Sequence, residues 1–290
     1  MDRAAYVAPQ RTNPAWLAEL KEGKRMALGC AINTSSTLAA EVCSATGYDF
    51  ILIDQQHSAI DPEKIRCLLQ AVHAGGSKAM VRVGGCYDRV GIQQAFDCGA
   101  DAIMVPCAQT AEDVKHAVSC AKYPVNGPGS QGGTRSVYVN LRPQLPGGFP
   151  ALFEYANTRG NAETIMCFQI ETAGALKNIK EICSVPGIDI AFIGPGDLAT
   201  DMGLVRRHGM PACWGTPEFK EAEKEIAEAC KASGVVAGYW SSDLKAKGEL
   251  GFRFFVVNAD IHAMQAALAT QLAEKRAEAA DFGTPSGLKE

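Results

Sequence analysis

The sequence predicts an α/β chain folded as a single (β/α)8 TIM barrel with a long C-terminal helix. Eight short apolar runs recur along it: RMALGCAI, DFILID, AMVRV, DAIMVP, TIMCFQI, IDIAFIG, VVAGYW and FRFFVVN. They are continuously apolar rather than alternating, as strands buried on both faces are. Segments of helical spacing separate them, and several end in Gly, the usual residue just past a helix. The 290 residues suit one barrel, which needs about 250. A doubly wound open sheet shares the alternation, but its GxGxxG and P-loop signals are missing from this sequence.

In chain order, residues 1–12 read as a tail. NPAWLAELKEG is a short helix with Asn13 as cap and Pro14 in the first turn. TLAAEVCSATG, PEKIRCLLQAVHAGG, DRVGIQQAFDCG and TAEDVKHAVSCAKY follow the first four strands. From Pro124 to Glu163 a Gly/Pro-rich stretch interrupts the rhythm and is too long to be an idle connection. AGALKNIKEICSV follows the fifth strand, a second insertion (GLVRRHGMPACWGTP) follows Asp197, and PEFKEAEKEIAEACKASG and SDLKAKGELG complete the ring. Both insertions are expected to shape or cover a pocket. The barrel domain therefore runs over 13–278, with a second tail over 279–290. The final helix has no strand left to cover. Its apolar stripe (Ile261, Met264, Ala267, Leu268, Leu272) is expected to pack on another subunit.

The composition, 47% apolar and 21% charged, is that of a soluble globular protein. Lys and Arg number 28 against 32 Asp and Glu, a net charge of −4, and no basic run occurs. That excludes nucleic acid and anionic membrane as main partners. The eleven cysteines occur singly, with no CxxC pair, so they read as small buried hydrophobes in a reducing, cytoplasmic setting. At Cys107, after DAIMVP, a catalytic thiol is the alternative to that reading. No signal-peptide core and no membrane span is visible.

Chemistry on a barrel is done at the C-terminal ends of its strands. After the second strand stands Asp54-Gln55-Gln56-His57. The third ends near Arg82, the fifth runs into Glu171, and the sixth into Gly194-Pro195-Gly196-Asp197. One acid after a strand is as readily a helix cap. Ionisable groups at four strand ends are much harder to explain that way. Glu171 and Asp197 together offer the two oxygens a hard divalent cation takes from a protein when substrate and water fill its other positions. Lys24 and Lys78 precede strands, on the structural side, so no Schiff-base lysine is in place. His73, His116, His208 and His262 have helical or loop contexts without visible partners.

The segments LIDQQH, VRV, FDCGADAIMVP, QIETAGALKN and IGPGDLATDMG, in this order, resemble the HpcH/HpaI family of class II, metal-dependent pyruvate aldolases, which includes macrophomate synthase. The resemblance implies Mg²⁺, Mn²⁺ or Co²⁺ on Glu171 and Asp197, with Arg82 on the keto oxygen of the substrate. It implies His57 as acid/base group, paired with Asp97 of a neighbouring subunit, in a homohexamer that exchanges its last helix. Asp54 and Gln56 would stand around the metal's waters, and Gln169 would line the pyruvate pocket. The backbone N–H groups of Gly196 and Asp197 would meet the substrate carboxylate. The implied reaction is reversible cleavage of a 4-hydroxy-2-oxo acid to pyruvate and an aldehyde. Decarboxylation of oxaloacetate, with trapping of the enolate as in macrophomate synthase, and a non-catalytic barrel that binds a keto acid are the alternatives. Two departures bear on the second substrate. Gln56 stands where the family commonly has Glu, and the family's YPPxGxRGxG reads YPVNGPGSQGG, with Gly129 for the arginine and Arg135 nearby.

Overall fold

The computed structural model describes residues 12–124, 133–137, 148–280 and 282. All eight apolar runs form strands: β1 (Ala27–Ile32), β2 (Phe50–Asp54), β3 (Lys78–Arg82), β4 (Ala102–Val105), β5 (Ile165–Ile170), β6 (Ile190–Ile193), β7 (Val236–Trp240) and β8 (Phe254–Ala259). Each pairs in parallel with the next and β8 returns to β1, which closes the barrel in chain order. The α/β barrel is therefore as the sequence predicts.

Side chains alternate along each strand between two cores. Ala31, Leu52, Met80, Met104, Cys167, Ile190 and Val236 fill the interior. Their neighbours Ile32, Ile51, Ile53, Val81, Ile103, Phe168 and Ala191 pack outward under the helices. Gly29 is required within this interior, because a Cβ there would run into the Phe50 ring. Helix Asn13–Lys21 plugs the N-terminal end of the barrel. Trp16 sets its ring edge-on to Phe50 and Phe254, with centroids 6.4 and 6.0 Å away, and those two rings stack at 4.1 Å.

Two local expectations change. Asn13 is the first helical residue rather than the cap, which falls on Thr12 with no side-chain hydrogen bond. The Asn13 amide instead donates to the carbonyls of Asp101 (3.2 Å) and Glu163 (2.7 Å), tying the plug to the barrel. AGALKNIKEICSV splits at Asn178 into Ala173–Lys177 and Ile179–Cys183. The insertion after Asp197 is ordered as helix Leu204–His208 and a 3-10 turn over Ala212–Gly215.

Of the Gly/Pro-rich stretch, residues 133–137 and helix Gly148–Thr158 are described, while Gly129 and the tail over 1–11 lie outside the described residues. The last helix, Asp260–Ala280, is exposed over 261–278, including Ile261, Met264, Leu268 and Leu272. Among the described residues no helix is long and apolar enough to cross a membrane. All eleven cysteines are unbonded.

Candidate active site

Register brings the first pair of site residues together. Asp54 and Arg82 are the last residues of β2 and β3 and lie opposite one another. The Arg82 guanidinium donates from Nε to Asp54 Oδ1 (2.8 Å) and from Nη2 to Oδ2 (2.6 Å), a bidentate fork. Burial alone would raise the Asp54 pKa, yet the Arg82 fork and the backbone N–H of His57 hold it below its ordinary value. The same carboxylate accepts from the backbone N–H groups of Gln56 (3.1 Å) and His57 (3.3 Å) and from Asn33 Nδ2 (2.8 Å). Asp54 therefore shapes the Gln55-Gln56-His57 turn as well as orienting Arg82.

From Arg82 the polar chain continues across the sheet. Nη1 reaches Gln169 Oε1 at 3.4 Å, and Gln169 Nε2 donates to Glu171 Oε2 at 2.9 Å. Trp240, at the end of β7, sets its ring centroid 5.9 Å from the guanidinium carbon. Glu171 is buried, and its Oε1 accepts from the Cys107 backbone N–H (2.7 Å) and thiol (3.2 Å).

Above this chain lies a cavity of about 290 Å³ lined by Gln56, His57, Cys107, Glu171, Asp197 and Thr200, among others. His57 and Asp197 are exposed into it. Asp197 lies in the first turn of helix Pro195–Asp201. Gln56 turns a buried Oε1 that has no hydrogen-bond partner among the described residues.

The donor set fits a small divalent ion. Two carboxylates line one cavity, and Gly194 leaves room beside them: a Cβ there would stand 2.9 Å from Glu171 Oε2. Among the described residues no three His, Cys, Asp or Glu side chains converge into a cage. An ion held here would thus keep water or substrate oxygens in most positions, as Mg²⁺ does in proteins.

Asp97 stands apart from that cavity. Its carboxylate is engaged by Arg135, Nη2 to Oδ1 at 2.6 Å, and the buried Arg135 guanidinium lies 4.5 Å from the Tyr123 ring centroid and 5.4 Å from that of Phe96. Within one chain Asp97 does not line the cavity with His57. Cys107 is not placed as a nucleophile: burial and the Glu171 carboxylate push its thiol up to about 11. Three participants had escaped the sequence: Asn33, Trp240 and the Cys107 backbone. The first two stand at strand ends in the sequence, but a sequence does not show which way a side chain points.

The profile of the HpcH/HpaI aldolase/citrate lyase family matches residues 28–253, from β1 to the residue before β8. The chain belongs to that family. It is 34% identical over 261 residues to a hydroxypyruvate/pyruvate aldolase of Sagittula stellata, covering 89% of this chain and 96% of that protein. It is 37% identical over 227 residues to a 4-hydroxy-2-oxovalerate aldolase of Novosphingobium aromaticivorans, covering 78% and 79%. The crystal structure of a family protein from Burkholderia cenocepacia superposes with a TM-score of 0.78 at 28% identity, covering 91% of this chain and 99% of the other. Within the HpcH/HpaI family, then, the matched segment carries Asp54, His57, Arg82, Cys107, Glu171 and Asp197.

Proposed function

We propose that the chain is a divalent-metal-dependent carbon–carbon lyase that reversibly cleaves a 4-hydroxy-2-oxo acid into pyruvate and an aldehyde. The observation that carries the reading is the unbroken polar chain Asp54–Arg82–Gln169–Glu171, which ends at a cavity shared with Asp197 and His57. The names of the relatives, aldolases of hydroxypyruvate/pyruvate and of 4-hydroxy-2-oxovalerate, support the substrate class.

Glu171 and Asp197 would hold Mg²⁺, Mn²⁺ or Co²⁺, which supplies Lewis-acid stabilisation of the enolate charge when the C3–C4 bond breaks. Arg82, clamped by Asp54, presents a fixed donor to the keto oxygen, in a buried setting that strengthens it. Gln169 orients both Arg82 and Glu171 and lines the pyruvate side. The first turn of helix Pro195–Asp201, at Gly196 and Asp197, faces the substrate carboxylate. His57, exposed in the cavity, takes the proton from the C4 hydroxyl in cleavage and returns it in synthesis. Gln56 stands close to where the metal's waters would lie.

The exposed stripe Ile261, Met264, Leu268 and Leu272 supports a homo-oligomer, read as a hexamer with the last helix exchanged. In that assembly Asp97, oriented by Arg135, would serve His57 of another copy. The unbonded cysteines fit the cytoplasm.

A screen of aldehydes with pyruvate, with and without EDTA and with oxaloacetate as a parallel substrate, tests this reading. Aldol product that EDTA abolishes and Mg²⁺ or Mn²⁺ restores is the expected result. Turnover of oxaloacetate alone would favour a decarboxylase, and tight binding of pyruvate without any turnover would favour a non-catalytic barrel.

A further inference from the structure

Glu171 presents its two oxygens unequally. Oε1 receives two hydrogen bonds, from the Cys107 N–H at 2.7 Å and the Cys107 thiol at 3.2 Å. A carboxylate oxygen has about two lone-pair sites, so Oε1 is fully engaged. Oε2 receives one, from Gln169 Nε2 at 2.9 Å, and keeps a lone pair. It also has open space, because the missing side chain of Gly194 would otherwise stand 2.9 Å away. Asp197 follows Gly194 by one turn of chain and lines the same cavity.

The backbone of Cys107 is what turns its N–H onto Oε1. Its φ of 57° makes it the one non-glycine residue in the left-handed region among the described residues. A side chain there is strained, and such strain collects at functional sites where the surroundings over-determine it. Glycine would reach the same φ without strain but would bring only the N–H. Cysteine adds the second donor to the same oxygen.

We propose that Cys107 is a positioning residue that closes Oε1 of Glu171 and leaves Oε2 as the single oxygen offered to the cation. This rests on the metal-dependent reading above. A one-oxygen carboxylate suits Mg²⁺, with its near-ideal octahedral demand, and favours the smaller Mn²⁺ over Ca²⁺. Ca²⁺ readily takes both oxygens of a carboxylate and is disfavoured.

The test is calorimetric titration of the full chain with Mn²⁺ and with Ca²⁺, for the native protein and for Cys107→Ser, Cys107→Ala and Cys107→Gly. Removal of the thiol in the Ala and Gly variants frees a lone pair on Oε1, and the preference for Mn²⁺ over Ca²⁺ is expected to fall about tenfold. Cys107→Ser keeps a donor and holds the preference within about threefold of native. The Gly variant accepts the left-handed backbone, so it reports even where the Ala variant folds poorly. An unchanged preference in Cys107→Gly overturns the proposal, as does weakening of both ions by the same factor, the mark of a merely structural role. Absence of Mn²⁺ binding by the native chain overturns the metal-dependent reading itself, and is seen before any variant is made.

Discussion

The two ends of the barrel both bury charge, and they treat it in opposite ways. At the N-terminal end Asp101 accepts from His73 Nε2 (3.0 Å) and the Ala79 N–H (2.9 Å), with Lys78 at 3.5 Å. Lys78 in turn donates to Asn13 at 2.7 Å. Lys122, whose pKa burial lowers to about 8, spends its donors on the carbonyls of Asn161 and Thr164. At the C-terminal end the foundation of the site is paired in this way: Asp54 with Arg82, and Glu171 with Gln169 and Cys107. Above it His57 and Asp197 are exposed, and Gln56 Oε1 is buried with no partner among the described residues. Charge that is fully satisfied holds a fold, whereas charge left open beside a cavity is there for something the chain does not itself contain.

Substitutions that exchange these properties should separate activity from stability. Glu171→Gln should produce the largest effect, a loss of about 10³-fold in metal-dependent kcat/KM, since it removes several kcal/mol of charge stabilisation. Stability should fall only by what one donor-facing amide costs, about 1–3 kcal/mol, because Gln cannot accept from both Cys107 and Gln169. Steady-state kinetics and a thermal melt together check it. His57→Ala should lower retro-aldol kcat by about 10²-fold or more, the scale of a lost general base. Oxaloacetate decarboxylation, which needs no proton abstraction by His57, should survive; equal loss of both activities would remove His57 from its role.

Asp101→Asn should do the reverse of Glu171→Gln. Burial alone would push the Asp101 carboxyl up, but His73 and Lys78 outweigh it and bring the pKa from 3.8 to about 2. A depressed carboxyl contributes stability that is complete above about pH 4 and is lost as pH falls towards 2, here about 2 kcal/mol. Urea unfolding across pH 2 to 6, as a rough range, should show that loss in the native chain and a flatter profile in Asp101→Asn, with kcat/KM at neutral pH retained. The smallest effect should come from Trp240→Leu. Loss of one ring face over Arg82 is worth about 0.5–1 kcal/mol, or two- to fivefold in the KM for pyruvate.

The barrel was legible because eight runs are apolar throughout, a pattern that parallel strands under helices require. What stayed hidden were interactions between distant residues. Asn13 looks like a helix cap until Asp101 and Glu163 are seen to claim its side chain. Asn178 breaks a helix that its neighbours would continue, and its amide donates to the Gln109 carbonyl at 2.8 Å. At the site, strand ends identify Asp54, Arg82, Glu171 and Asp197 as residues on one edge. Only register shows that Arg82 is clamped by Asp54, and only the backbone of Cys107 shows how Glu171 is held. Resemblance alone pairs Asp97 with His57 of a neighbouring subunit, and its bond to Arg135 comes from a segment 38 residues away.

Stabilisation of a pyruvate enolate by a divalent ion at the open end is tested most directly by exchange of the pyruvate methyl protons with deuterated water, followed by proton NMR without any aldehyde. Exchange that EDTA stops, that Mg²⁺ or Mn²⁺ restores and that Glu171→Gln abolishes is the predicted result. Exchange indifferent to EDTA, or none with any divalent ion in the native chain, would contradict it.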